Sequence, residues 1–308
     1  MNIGFLSSLS YHTYYIKRDE IARMSAQLFT SDYGYPWGNT AELLQRHNLN
    51  LLNPQLSVAP VLKDQTDVAA QILKTGNIST VNLANHLLLS ESITTITSTL
   101  NQAGINTVGI GFNEAQARTP VIYKQNDITI GIIGFTNKKE FEHHEDMAVF
   151  YVPFGDVTPI KDELQKLKSE VDVLIALVQW GSSQPEPTDT YTQFAHSLVD
   201  HGVDIIHGES DHVYLGVENY NGKLIIYDSG DFVEIMLANE KKSIPRSFIY
   251  SVELETDGIK QVTLTPVLMQ ENQLQLATGE NKIEAIDLMQ TISKNLSTSV
   301  SDEGIITF

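Results

Sequence analysis

The chain has 308 residues, 42% of them hydrophobic, enough apolar material for the core of one large α/β domain or two smaller ones. Its 20 Lys and Arg face 38 Asp and Glu, a formal charge of −18 with no local basic patch, which sets nucleic acid aside as a partner. With no cysteine, disulfides, thiolate zinc sites and cysteine nucleophiles are excluded together, and any metal must be held by His, carboxylate or amide oxygen.

The N-terminus carries no basic segment ahead of an apolar core, and nowhere do about 18 apolar residues run together, so neither a signal peptide nor a membrane span is predicted. A cytoplasmic location is the default expectation, with an exported form trimmed at its N-terminus left open. Asn2–Leu6 reads as a first strand with Ser7-Ser8 at its exit, and Ile21, Met24 and Leu28 follow at helical spacing. Tyr33, Tyr35 and Trp37 then read as packing aromatics in a loop. A helix over Thr40–His47 leads to a strand Leu49–Leu52 that ends at Asn53-Pro54-Gln55. A helix over Asp67–Leu73 precedes the strand Thr80–Ala84, whose exit is Asn85-His86. Ile93, Ile96, Leu100 and Ile105 keep a helical period before a strand Thr107–Ile110.

Pro120–Tyr123 and Ile128–Phe135 flank the polar turn Gln125-Asn126-Asp127 and read as a hairpin. The loop with Lys138, Lys139, His143, His144, Glu145 and Asp146 reads as a solvated charged segment. An amphipathic helix Asp162–Ser169 leads to Val171–Val178, a β-branched apolar run short enough for a strand buried on both faces, which stops at Gln179-Trp180-Gly181. Thr188 or Asp189 caps a helix through Phe194, Ala195, Leu198 and Val199 that Gly202 ends. The next strand, Val203–His207, exits into Gly208-Glu209-Ser210-Asp211-His212, at the kind of strand end where α/β sheets place ligands. A hairpin turning at Asn221-Gly222 delivers Asp228-Ser229-Gly230-Asp231 toward the same cleft. Strands Phe248–Glu255 and Val262–Leu268 and a helix Asn281–Leu296 complete the chain. No repeat or linker intervenes, so residues 1–245 are expected to form a core and 246–308 to pack on the same domain.

The ordered set Ala84-Asn85-His86, Gly104–Gly109, Trp180-Gly181, Gly202–Gly208, Asp211-His212-Val213 and Tyr227–Phe232 resembles the CapA/PgsA family of capsule and poly-γ-glutamate biosynthesis proteins, over nearly the whole chain. The resemblance implies a four-layer α/β/β/α sandwich of the calcineurin-like metallophosphoesterase type. The departures fall on polar strand-end positions. Ser7-Ser8 stands where the family has Gly-Asp, Asn53-Pro54-Gln55 where it has Asn-Leu-Glu, Gln179 where it has His before Trp-Gly, and Glu209 where it has His after Gly.

A two-metal phosphoesterase holds its cations about 3.5–4 Å apart with anionic and imidazole ligands. Ser8, Gln55 and Gln179 are neutral and poor ligands, so no stoichiometric transition-metal pair is expected, and one weakly bound Mg²⁺ or Ca²⁺ stays open, with Asn85, Glu209 and His212 as its ligands. The remaining acidic cleft would place Glu209, Asp211 and His212 in catalysis and Asn85, His86, Gln179, Trp180, Asp228 and Asp231 in substrate binding. An intact two-metal phosphoesterase is the reading these substitutions disfavour, and two others stay open beside it. One is a hydrolase or transferase acting on a γ-glutamyl or phosphate-containing envelope polymer or precursor. The other is a non-catalytic descendant that binds such a ligand, or envelope-assembly proteins, after losing the two-metal site.

Overall fold

The computed structural model describes residues 1–6, 32–53, 66–84, 93–138, 143–144, 147–180, 187, 189–209, 215–230, 246–270 and 273–308. Two facing sheets form its centre. The first is built from β1 (Asn2–Leu6), β2 (Leu49–Leu52), β3 (Thr80–Asn82) and β4 (Asn106–Val108), which run parallel in that order. The C-terminal segment extends it on the other side of β1. There β14 (Arg246–Glu255) pairs antiparallel with β1, and β15 (Gly258–Gln270) pairs with β14. Both β16 (Gln273–Leu276) and β17 (Ile305–Thr307) then pair with β15.

The second sheet is built from β6 (Val121–Gln125), β7 (Ile128–Thr136), β10 (Val173–Gln179), β11 (Ile205–Glu209), β12 (Val217–Tyr220) and β13 (Lys223–Ile226), in the order β12-β13-β11-β10-β7-β6. Its four inner strands are parallel. The β12–β13 hairpin turns at Asn221 and Gly222 with φ of 53° and 75°, the left-handed pair that a tight two-residue hairpin requires. A small third sheet joins β5 (Ile110–Gly111), β9 (Met147–Val149) and β8 (His143–His144).

Alternation along the strands explains the layering. In β10, Val173, Ile175 and Leu177 enter the core between the sheets, where Ile3, Phe5, Leu51, Ile132, Ile205, Ile226, Phe248 and Tyr250 meet them. Leu174, Ala176 and Val178 face the other way and pack under α5 (Lys161–Glu170) and α6 (Asp189–Asp200). Residues Tyr191, Phe194, Ala195, Leu198 and Val199 of α6 recur at helical spacing and are buried on that side. The outer face of the first sheet is covered by α1 (Ala41–Arg46), α2 (Thr66–Thr75) and α3 (Ile93–Gln102), through Leu44, Ile72, Leu73, Ile96 and Leu100. A short α4 (Glu114–Ala117) is capped by the Asn113 side chain. Ile286 and Met289 of α7 (Gly279–Lys294) join the inter-sheet core from its edge. The result is the four-layer α/β/β/α sandwich expected. Among the described residues no helix is long and apolar enough to cross a membrane.

Three local readings change. Tyr35 and Trp37, expected in a loop, lie in a 3-10 helix Tyr35–Thr40. The strand expected over Thr107–Ile110 breaks into β4 and β5 at Gly109, whose φ of 88° leaves the extended region and whose missing Cβ makes room for the Asn82 side chain. The segment read as a charged loop contributes His143–His144 as β8, paired with Met147 and Ala148.

Candidate functional site

At the C-terminal ends of the second sheet, the faces turned toward the first sheet change from apolar to polar. After Ile132 in β7 comes Thr136, after Leu177 in β10 comes Gln179, and after Ile205 in β11 come His207 and Glu209. Thr136 is the register partner of Gln179, and Gln179 of Glu209, so the three stand in one row across neighbouring strands. Asp228 and Ser229 follow β13 beside β11. Thr136, His207, Glu209, Asp228 and Ser229 have no exposed surface, and Gln179 is 1% exposed.

Buried polar groups persist only when they are hydrogen-bonded, and two networks meet this requirement. In the first, Asn53 and Asn82 cross from the first sheet to the second. Asn53 Nδ2 donates to the carbonyls of Val178 (3.0 Å) and His207 (3.1 Å). Asn82 Nδ2 donates to Asn53 Oδ1 (2.9 Å) and the Leu177 carbonyl (3.1 Å), while its Oδ1 accepts the Ala84 amide (3.0 Å). Gly134 opens the space: a Cβ there would lie 2.4 Å from Asn82 Oδ1.

The second network runs within the second sheet. Ser229 Oγ donates to Glu209 Oε2 at 3.1 Å and lies 2.9 Å from His207 Nε2. A hydroxyl has one proton to give, so His207 must donate from Nε2 to Ser229, which fixes its tautomer. Burial pushes the His207 pKa down to about 3, so the ring is a neutral donor. It stands edge-on against Phe5, with ring centres 5.5 Å apart. Ser247 Oγ anchors the loop by donating to the Ser229 carbonyl at 2.6 Å, and Asp228 Oδ1 accepts the Gly230 amide at 2.8 Å.

Gln179 stands apart from both networks. Neither Nε2 nor Oε1 has a hydrogen-bond partner among the described residues, although its backbone carbonyl accepts from Thr136 Oγ1 at 3.0 Å.

Of the residues singled out from sequence, Gln179 and Glu209 are thus register partners in one row, and Asp228 follows the neighbouring β13. Trp180, expected with the ligand-binding residues, points to the opposite face, as strand alternation requires after Gln179. It has no exposed surface, its Nε1 donates to the Tyr227 carbonyl at 2.6 Å, and its ring meets Tyr191 and Phe194 edge-on under α6. Asn85, His86, Asp211, His212 and Asp231 lie outside the described residues, as do Ser7, Ser8 and Gln55. Sequence reasoning missed Asn82, His207 and Ser229. The available signal was a polar residue at a core-facing position of an otherwise apolar strand, as with Asn82 after Val81 and His207 after Ile206.

A pair of transition-metal ions at these strand ends would draw on Asn85, His86, Asp211 and His212 as well, which lie outside the described residues. No group of three or more His, Asp or Glu side chains among the described residues lies close enough to hold one. Gln179 offers a neutral amide where a two-metal centre needs imidazole or carboxylate.

The comparisons with known proteins agree with this architecture. The PGA biosynthesis protein CapA of Bacillus subtilis is 28% identical over 170 residues, covering 54% of this chain and 45% of that protein. A probable polyglutamine synthesis accessory protein of Mycobacterium tuberculosis is 26% identical over 238 residues, covering 66% of this chain and 60% of that one. The chain therefore spans about half the length of the curated relatives it matches. Among solved structures, the sulfate thiohydrolase SoxB of Thermus thermophilus superposes with a TM-score of 0.51 at 11% identity, over 85% of this chain and 55% of that one. A 5'-nucleotidase precursor of Thermus thermophilus does so with 0.50 at 13% identity, over 77% and 48%. At these identities the likeness is one of fold, the calcineurin-like metallophosphoesterase sandwich. The family model described as bacterial capsule synthesis protein PGA_cap matches residues 11–235, and the chain belongs to that family.

Proposed function

We propose that the chain serves the synthesis of a γ-glutamyl capsule or envelope polymer by binding the polymer or its precursor at the strand ends of β10, β11 and β13. On this reading Glu209, with Asp211 and His212, supplies acid–base catalysis of hydrolysis or transfer without a transition-metal pair, and at most one Mg²⁺ or Ca²⁺ binds weakly. The observation that carries the reading is the pairing of Gln179 with Glu209 across β10 and β11, in a member of a capsule-synthesis family. A carboxylate fixed by a hydroxyl donor beside a neutral amide suits proton transfer to or from a bound amide better than cation clamping. A second reading, a non-catalytic binding protein that contacts the polymer or envelope-assembly proteins, is favoured by the complete burial of Glu209.

Elemental analysis of protein purified without added metal, combined with glutamate release from a γ-glutamyl oligomer, tests both. The expected result is less than one equivalent of manganese, iron or zinc and no turnover of p-nitrophenyl phosphate. γ-Glutamyl cleavage should be lost in Glu209→Gln and Asp211→Asn at an unchanged melting temperature. Two equivalents of transition metal would restore the phosphoesterase reading. An inactive parent whose variants melt higher would favour the binding protein, because relieving clustered charge stabilises a site that does no chemistry.

A further inference from the structure

Gln179 is the one residue of the polar row whose side chain lacks a described partner, and it is 1% exposed. Leaving both ends of a buried amide unsatisfied is costly, and the sequence could have avoided the cost with an apolar residue, as it does at Leu177 two positions earlier on the same face. We propose that Gln179 is the specificity-determining residue of the cleft and that it reads the neutral amide linkage of the ligand, Nε2 donating to an amide carbonyl and Oε1 accepting from an amide N–H. The inference rests on the reading of the cleft as a polymer-binding site and adds which part of the polymer is recognised: the chain amides, not its carboxylates.

The chemistry of the alternatives supports this choice. An ionised carboxylate or a phosphodiester offers acceptors alone, so it could take the Nε2 protons but would leave Oε1 facing an anion. It would also meet Glu209 on the adjacent strand and Asp228 beside it, in a chain carrying a formal charge of −18. An ammonium group offers donors alone and would leave Nε2 unpaired. A ligand that offers both an acceptor and a donor satisfies both ends of Gln179, and an amide polymer does so when the carbonyl of one linkage and the N–H of its neighbour are turned toward the side chain, since each trans linkage points its own two groups to opposite sides.

The test uses isothermal titration of the full chain with four probes: tri-γ-glutamate as the free acid, the same trimer with its α-carboxyls as methyl esters, maltotriose and inorganic phosphate. The variant is Gln179→Met, which keeps the length and removes both hydrogen-bonding ends. The wild type should bind the ester at least as tightly as the free acid and should ignore phosphate. Gln179→Met should bind either trimer about 10-fold or more weakly while its ligand-free form melts higher. Equal trimer affinity in Gln179→Met would overturn the inference and leave the polymer-binding function standing. So would a wild-type preference for phosphate or for the free acid, which requires no second variant to fold. A lower melting temperature for ligand-free Gln179→Met would show that the amide is satisfied within the fold and would also overturn it. Maltotriose binding without trimer binding, or wild type that binds neither trimer because the amide is sealed in the core, would remove both the inference and the function it rests on.

Discussion

Asn82 donates to Asn53 at 2.9 Å, and through this pair the two sheets are hydrogen-bonded to each other near the C-terminal ends of β10 and β11, since both amides also reach carbonyls of those strands. Away from these polar strand ends the described space between the sheets is filled by apolar side chains, apart from the Ser247 anchor and an edge tie in which Tyr123 Oη donates to the Ser79 carbonyl at 2.8 Å. Apolar contacts fix distance but not lateral register. Replacing Asn82 by Ala would leave Asn53 Oδ1 and the Ala84 amide without partners in a buried setting. The expected cost is about 2–4 kcal/mol, read as a fall in urea midpoint at unchanged slope. A change below about 0.5 kcal/mol would mean that the bridge contributes no stability.

The empty position at Gly134 is part of the same arrangement. A methyl group there would meet Asn82 Oδ1 at 2.4 Å and Val108 Cγ2 at 2.6 Å, inside a core that cannot yield to both. Gly134→Ala is therefore expected to destabilise by about 1–3 kcal/mol through overpacking. The double variant with Asn82→Ala should lose less than the sum of the two, because the second change removes the atom that the first one strikes. Full additivity in denaturation would show that the clash is relieved elsewhere.

Stability should fall on mild acidification. His207 is held down to about 3 by burial, and burial also lowers His47 despite its hydrogen bond to Asn50. In the unfolded chain both rings take up a proton as pH drops through about 6.5, whereas the folded state refuses it. The unfolded state thus binds more protons below that pH. The stability is fully present above about 6.5 and is lost progressively toward 3, at up to about 1.4 kcal/mol per pH unit for His207. Urea denaturation between about pH 7.5 and 5 measures the slope before most carboxylates titrate. His207→Gln should flatten it, and an unchanged slope in that variant would assign the acid sensitivity to other groups.

The framework was legible because its signals are local. The unbroken apolar run ending at Val178 gave a strand buried on both faces, and the spacing of Phe194, Ala195 and Leu198 gave its covering helix. Asn221-Gly222 gave a hairpin that lies beside β11, as expected. Gln179, Glu209 and Asp228 were legible because residues at or just past the ends of neighbouring parallel strands share one edge. The supporting polar residues were not, because their meaning is set by partners far away in sequence: Asn53 bonds residues 125 and 154 positions distant. Periodicity marks Asn82 and His207 as core positions without saying which groups of the other strands will face them. Trp180 was drawn into the site by its neighbour Gln179, although strand alternation sends adjacent residues to opposite faces.

The His207–Ser229–Glu209 chain should behave as one unit. Ser229 is its middle member, accepting from His207 at 2.9 Å and donating to Glu209 at 3.1 Å in a setting that excludes water from all three. Ser229→Ala removes a donor and an acceptor together, leaving the His207 N–H and one Glu209 oxygen without this partner, at an expected cost of about 1–3 kcal/mol. His207→Leu removes the imidazole and fills much of its volume against Phe5 with an apolar group, so its own cost includes a packing change. In the double variant, the Ser229 position no longer faces an orphaned N–H, and the penalty of Ser229→Ala should shrink by about 1 kcal/mol. A double-mutant cycle from urea midpoints at pH 7.5, where the folded ring is neutral, measures that coupling. A coupling energy indistinguishable from zero would mean that Ser229 serves Glu209 alone and that the hydrogen bond to His207 adds nothing to the site.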